Sequence, residues 1–64
     1  MKNEWRVLAV VFVLVAGEAH FDLALALEKL GRTREAIDQY RQTLKLRPDY
    51  TPARTALARL GAGQ

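Results

Sequence analysis

Residues 17–50 read GEAHFDLALALEKLGRTREAIDQYRQTLKLRPDY, two apolar periodicities separated by a glycine and closed by a proline. Leu23, Ala24, Leu27 and Leu30 recur at i, i+1, i+4 and i+7, which places them on one face of a helix. Gly31 follows that face, where a left-handed residue commonly ends a helix. Thr33 is the expected N-cap of a second helix. Its apolar set is Ala36, Ile37, Tyr40 and Leu44, running out near Leu46. Pro48 stops it, because proline disfavours helical geometry at Arg47 and has no N–H to give. Thr51-Pro52 is a restart signal, with Thr51 as the expected cap and Pro52 at the first helical position. Ala53, Ala56, Leu57 and Leu60 form the third face, and Gly61 closes it. Short loops between three such segments predict antiparallel neighbours, so the fold class is all-α.

The small residues give this hairpin its character. Ala24 and Ala36 fall where its two helices cross, and small side chains there let the axes approach to about 8–10 Å. Tyr40 is the large residue that fills the space beside them. The arrangement resembles the tetratricopeptide repeat, a helix–turn–helix unit with the pattern W-x2-L-G-x2-Y…A-x3-F…P. On that pattern the aromatic start falls on His20, the Leu on Leu23, the small residue on Ala24 and the Tyr on Leu27. The second-helix Ala falls on Ala36, the Phe on Tyr40 and the closing Pro on Pro48. Leu57 and Ala58 match the Leu and small residue of a following unit. His20, Leu27 and Thr43 depart from the usual residues, Thr43 standing where a small apolar side chain is common. The resemblance covers residues 17–60: one full unit, 17–50, and the opening helix of a second, 51–60. Repeats of this kind bury their apolar faces against neighbours, and roughly three are normally needed for stability. Residues 61–64 are expected to be a disordered tail.

The resemblance implies a non-enzymatic protein-binding module whose first helix lines a concave groove. That groove would present Glu18, Phe21, Asp22, Leu25, Glu28 and Lys29. Phe21 and Leu25 are apolar where a solvent face is expected, so they are candidate anchors for a peptide. The bland alternative is that they pack under residues 7–16 or against a second copy. The subclass of the family that clamps a C-terminal carboxylate uses Lys and Asn at those two positions, which argues against that ligand here.

Residues 1–16 have no counterpart in the repeat. Lys2, Glu4 and Arg6 flank Trp5, and Val7 to Ala16 is then apolar without a break. Trp5, Val7, Leu8, Val10, Val11, Phe12, Leu14 and Val15 are the residues assigned to membrane or assembly contact. A basic start before a short apolar run resembles the core of a secretory signal, with Ala16, Gly17 and Ala19 as small residues for cleavage. As a helix, ten residues rise only about 15 Å against a hydrocarbon core of about 30 Å. Extending the run from Trp5 to Phe21 reaches the lower end of the spanning range, with Trp5 in the aromatic belt and Lys2 and Arg6 on the cytoplasmic side. The other readings are a helix buried in an oligomer or larger assembly, and a valine-rich strand that would pair with another chain. Helix is favoured over strand.

Composition removes several classes. A chain of 64 residues is near the size at which one core is marginal without staples or association. It has no cysteine, and a single histidine, so disulfides, thiolate metal sites and His/Cys zinc centres are excluded. It has no serine either, and Thr33 and Thr51 are assigned to caps, so no hydroxyl nucleophile is placed for catalysis. His20 and Asp22 are two residues apart, which on a helix turns them to different faces. His20 reads as a substitute for an aromatic packing residue. Neither an enzyme nor a cofactor site is indicated.

The charge is +3 overall and uneven: residues 1–31 carry −1 and residues 32–64 carry +4. Arg32, Arg34, Arg41, Lys45, Arg47, Arg54 and Arg59 could make a basic surface for nucleic acid or anionic lipid. Opposite-charge pairs Glu28–Arg32, Arg34–Asp38 and Asp38–Arg41 at helical spacing argue for a solvated face instead. The basic residues also lack interleaved aromatics on which bases could stack. The expectation is a scaffold that self-associates or serves as a small subunit of a larger assembly, membrane-associated or in the cell envelope, with a cytoplasmic setting as the alternative.

Overall fold

The computed structural model describes residues 4–61. Lys2 and the tail 62–64 lie outside the described residues. Three helices follow one another: α1 Glu4–Lys29, α2 Thr33–Leu46 and α3 Thr51–Arg59. The described residues contain no strand, so the valine-rich run is helical.

α1 is continuous through residues 16 and 17, where the composition changes. The run holds no proline, and a helix-interior glycine costs only about 1 kcal/mol, too little to break a helix supported on both sides. Gly17 is buried, and a Cβ there would lie 3.0 Å from Cγ and Cδ of Arg47. The missing side chain lets the stem of Arg47 lie against the helix.

The α1–α2 turn is built from backbone hydrogen bonds. Gly31 takes φ +79°, its N–H donates to Glu28 O at 2.9 Å and the Arg32 N–H donates to Leu27 O at 2.9 Å. These are the two bonds of a Schellman closure. Because the turn is so short, Arg32 also begins α2: its carbonyl accepts from the Ala36 N–H at 3.0 Å. Arg32 is therefore the N-cap residue, and Thr33, expected in that role, is the first helical residue. The Arg32 guanidinium instead holds Glu35 in the first turn of α2, at 2.6 and 2.8 Å.

The α2–α3 connection is a β-turn over Arg47-Pro48-Asp49-Tyr50, with Tyr50 N–H donating to Arg47 O at 3.0 Å. Pro48 at the second position pre-sets the turn. It is exposed, so it acts as a terminator and not as a packing residue. Thr51 is likewise inside α3: Tyr50 is the N-cap residue, its carbonyl accepting from Ala53 and Arg54. Pro52 thus occupies the second helical position, where the absent N–H would have had no helical partner.

α2 lies between α1 and α3 and packs on both. Ala24, Ala36, Tyr40 and Ala53 are fully buried, joined by Leu27, Ala56 and Leu57. The expected crossing alanines are therefore at the centre of the hairpin. Leu44 is half-buried against this cluster, as are Phe21, Ile37, Tyr50 and Leu60. Leu23 is 47 % exposed and stands outside the core. One helix, α2, covers only one side of α1, and Leu23 is turned about 100° from Ala24 around the helix axis. The molecule is elongated, 45 × 22 × 13 Å, because the N-terminal half of α1 runs beyond the other two helices.

Candidate interaction surfaces

The polar groups within the hairpin come together at two levels. At the end near the first turn, Glu28 is the centre. Arg59 from α3 grips its carboxylate with two donors, at 2.8 and 2.9 Å, and Tyr40 from α2 donates its hydroxyl to Oε1 at 2.5 Å. One carboxylate so ties all three helices. The expected Glu28–Arg32 pair does not form: Arg32 is committed to Glu35, and the antiparallel topology brings Arg59 to Glu28 from 31 positions away. The hydrogen bond from Arg59, followed by that from Tyr40, holds the Glu28 carboxyl down at about 2. Burial, reinforced by donation to Glu28, pushes the Tyr40 phenol up to about 12.

At the other level, where α1 leaves the hairpin, Arg47 stacks over Tyr50 at 4.7 Å and meets Glu18 at 3.8 Å. Thr43 is fully buried here. Its Oγ1 lies 3.1 Å from Gln39 O and 3.3 Å from Gly17 O, so its one proton is shared between its own helix and α1. Nδ1 of half-buried His20 and Oε1 of Gln39 are 2.6 Å apart. His20 thus packs where an aromatic residue was anticipated and adds a polar link to α2.

The residues expected along a groove are unequally available. Phe21 is drawn inward, its ring 5.6 Å from Tyr40 in a tilted contact and 5.2 Å from Tyr50 edge to face. It is held by its own hairpin, and neither residues 7–16 nor another chain is needed to cover it. Leu25 is 38 % exposed, and Glu18, Asp22 and Lys29 are exposed beside it. Glu28 is engaged as described. Leu25 is left as the one exposed apolar member of that set.

The larger surface is α1 itself. Trp5, Val7, Leu8, Val10, Val11, Phe12, Leu14 and Val15 are all exposed, Phe12 at 73 %. Taken alone, α1 has the length and composition to cross a membrane, but its C-terminal half is packed against α2. Much of the basic character of the C-terminal half is engaged within the chain: Arg32 is held by Glu35, Arg47 by Glu18, Arg54 by Pro48 O and Arg59 by Glu28. Among the described residues no group of His, Asp and Glu is arranged to hold a metal ion.

An antiparallel hairpin crossing on alanines, closed by a glycine turn and followed by a third helix on α2, defines a helical repeat unit. The tetratricopeptide repeat family model matches residues 17–50, more than half of the chain, and the chain belongs to that family. Searches of curated proteins and of solved structures gave no match. The family consists of modules for protein–protein interaction, typically without enzymatic activity, and that general role extends to this chain.

The Glu28–Tyr40–Arg59 cluster and the Thr43 contact were not apparent from the sequence. No local spacing links 28 to 59, and only the return of α3 toward the end of α1 explains their meeting.

Proposed function

We propose that this chain is a scaffold that acts by association, either with copies of itself or as a small subunit of a larger assembly. The observation that carries this reading is the set of exposed large apolar side chains along α1, from Trp5 to Val15 and again at Leu23, Leu25 and Leu30. At about 25 cal/mol per Å² of apolar area, leaving so many large side chains in water forgoes several kcal/mol. Patches of this kind mark protein or membrane contact. The groove reading has weaker support, because Phe21 is spent on Tyr40 and Tyr50 and only Leu25 is left as an anchor.

Membrane attachment is a second version of the same proposal. It is favoured by Val7–Ala16, which is apolar on every side of the helix. The twelve residues from Trp5 to Ala16 rise about 18 Å, short of a hydrocarbon core of about 30 Å. Crossing would therefore call for a locally thinned bilayer, with Arg47, Glu18 and Tyr50 at its surface. Sedimentation velocity in detergent-free buffer tests the proposal. Self-association, or insolubility relieved by detergent, supports it. A folded, soluble monomer at tens of micromolar would refute it.

A further inference from the structure

The exposed apolar surface of α1 has an internal order that limits what can cover it. From Trp5 to Leu30, apolar residues recur at alternating spacings of four and three without interruption, the heptad seam of a coiled coil. All lie within about 100° of the helix circumference, on a side that α2 does not cover. Ala16 is half-buried and the other positions are exposed, Trp5 at 64 %, Leu23 at 47 % and Leu30 at 70 %. The charged residues of α1 are Glu4, Arg6, Glu18, Asp22, Glu28 and Lys29, and none falls on the seam. That avoidance continues past Gly17, where charges are frequent, so it is not a by-product of the apolar N-terminus.

The seam is also symmetric about its centre. Its members pair as Trp5 with Leu30, Ala9 with Ala26, Phe12 with Leu23, and Ala16 with Ala19, the two numbers of every pair summing to 35. Each pair is large with large or small with small. Two such helices laid antiparallel place each residue opposite the other member of its pair, an isologous arrangement in which a faces d. Large layers then alternate with alanine layers, and two alanine layers meet at the two-fold axis. The parallel alternative would set Trp5 against itself and leave both projecting halves standing clear of the hairpins. In the antiparallel pair the projecting half of each copy lies along the hairpin half of the other.

Building on the self-association reading, we infer that α1 is a dimerisation helix that pairs antiparallel with α1 of a second copy through this seam. A partner must offer an apolar helix edge of about 38 Å, the length of 25 steps along an α-helix. α2, with 14 residues, is too short, and α1 of another copy matches end to end. Lipid meets the projecting half but not Leu23, Ala26 and Leu30, which flank the charged residues of the hairpin.

The chain has no cysteine, so introduced thiols report position cleanly. The test uses Ala9→Cys and Ala26→Cys as separate full-length chains, oxidised alone and as an equimolar mixture. The same comparison is made in buffer and, where the chain needs detergent, in micelles. The expected result is a disulfide dimer in the mixture at least tenfold more abundant than from either variant alone. In the antiparallel pair two copies of residue 9 are about 25 Å apart, beyond the reach of a disulfide. Homotypic cross-links, with Ala9→Cys dimerising alone, would indicate a parallel pair and overturn the inference. Association by sedimentation without the 9–26 cross-link would also overturn it while leaving the scaffold reading standing. A folded monomer would remove both.

Discussion

Tyr40, fully buried on α2, donates its hydroxyl to the Glu28 carboxylate on α1, which Arg59 on α3 grips from the other side. Removing the hydroxyl with Tyr40→Phe leaves Glu28 with its arginine and leaves the ring in place. No buried polar group is orphaned, so the loss should be that of one charge-assisted hydrogen bond, about 1–2 kcal/mol. In a domain of this size that lowers the melting temperature by about 7–15 °C. The comparison needs equal protein concentrations, because association would itself shift the midpoint. An unchanged midpoint would show that the hydroxyl contributes nothing.

The same cluster sets the pH dependence. Glu28 titrates at about 2 in the folded chain, below the ordinary 4.5. Its contribution is therefore present above pH 4.5 and is lost as pH falls toward 2. Arg59, the main partner, is more than half exposed, so screening makes the effect smaller than the shift alone suggests. Tyr40 runs the other way. Its pKa is raised from 10 to about 12, so its contribution is complete below pH 10 and is lost as pH rises toward 12. Denaturant midpoints measured across pH should fall at both ends. Glu28→Gln should flatten the acid limb and Tyr40→Phe the alkaline limb. Limbs that persist unchanged in these variants would assign the pH dependence to other groups.

Gly31 offers a separation of backbone strain from packing. Its φ is +79°, and a Cβ added there meets nothing within 4 Å. Gly31→Ala should therefore cost about 1–2 kcal/mol, the left-handed penalty of an L-residue, with no steric addition. Gly31→Asn should cost less, since asparagine tolerates that conformation. Equal losses for the two, measured by urea unfolding, would mean that the turn relaxes out of the left-handed region.

Thr43 tests whether its hydroxyl or its volume matters. Its two acceptor carbonyls, Gln39 O and Gly17 O, lie inside helices that already supply them with N–H donors. Thr43→Val keeps the shape and orphans neither carbonyl, so it should change stability by no more than about 0.5 kcal/mol. Thr43→Ala leaves a void at a fully buried site and should cost more, about 1 kcal/mol. Valine proving worse than alanine would make the hydroxyl the larger contributor.

What the sequence reveals and what it conceals divide along physical lines. Ala24, Ala36, Tyr40 and Leu57 are recognisable from periodicity and lie in the core, because helical spacing fixes which residues share a face. Gly31 and Pro48 are recognisable because each acts on the backbone of its own turn. Thr33 and Thr51 mislead: each sits one place past the cap, because turns this short leave Arg32 and Tyr50 to begin the helices. The Glu28–Arg59 pair is out of reach of local reasoning, since it depends on where α3 ends in space. Phe21 belongs to the same class. Spacing leaves it either a groove anchor or a packed residue, and its contacts with Tyr40 and Tyr50 depend on where a distant turn lies.

Leu23 and Leu27 occupy the same stretch of α1 and should behave oppositely. Leu27 is 8 % exposed and packed in the core, whereas Leu23 is 47 % exposed on the uncovered edge. Leu27→Ala should destabilise folding by about 2–4 kcal/mol through lost burial and a residual cavity. Leu23→Ala removes little that is buried within one chain, so a dilute monomer should unfold within about 1 kcal/mol of the parent. Its effect belongs to association, where Leu23 is one of the large residues on the exposed edge. Sedimentation equilibrium should show weaker self-association for Leu23→Ala, by tenfold or more, at concentrations where the fold is intact by circular dichroism. A Leu23→Ala chain that associates as tightly as the parent would exclude this edge of α1 from the contact.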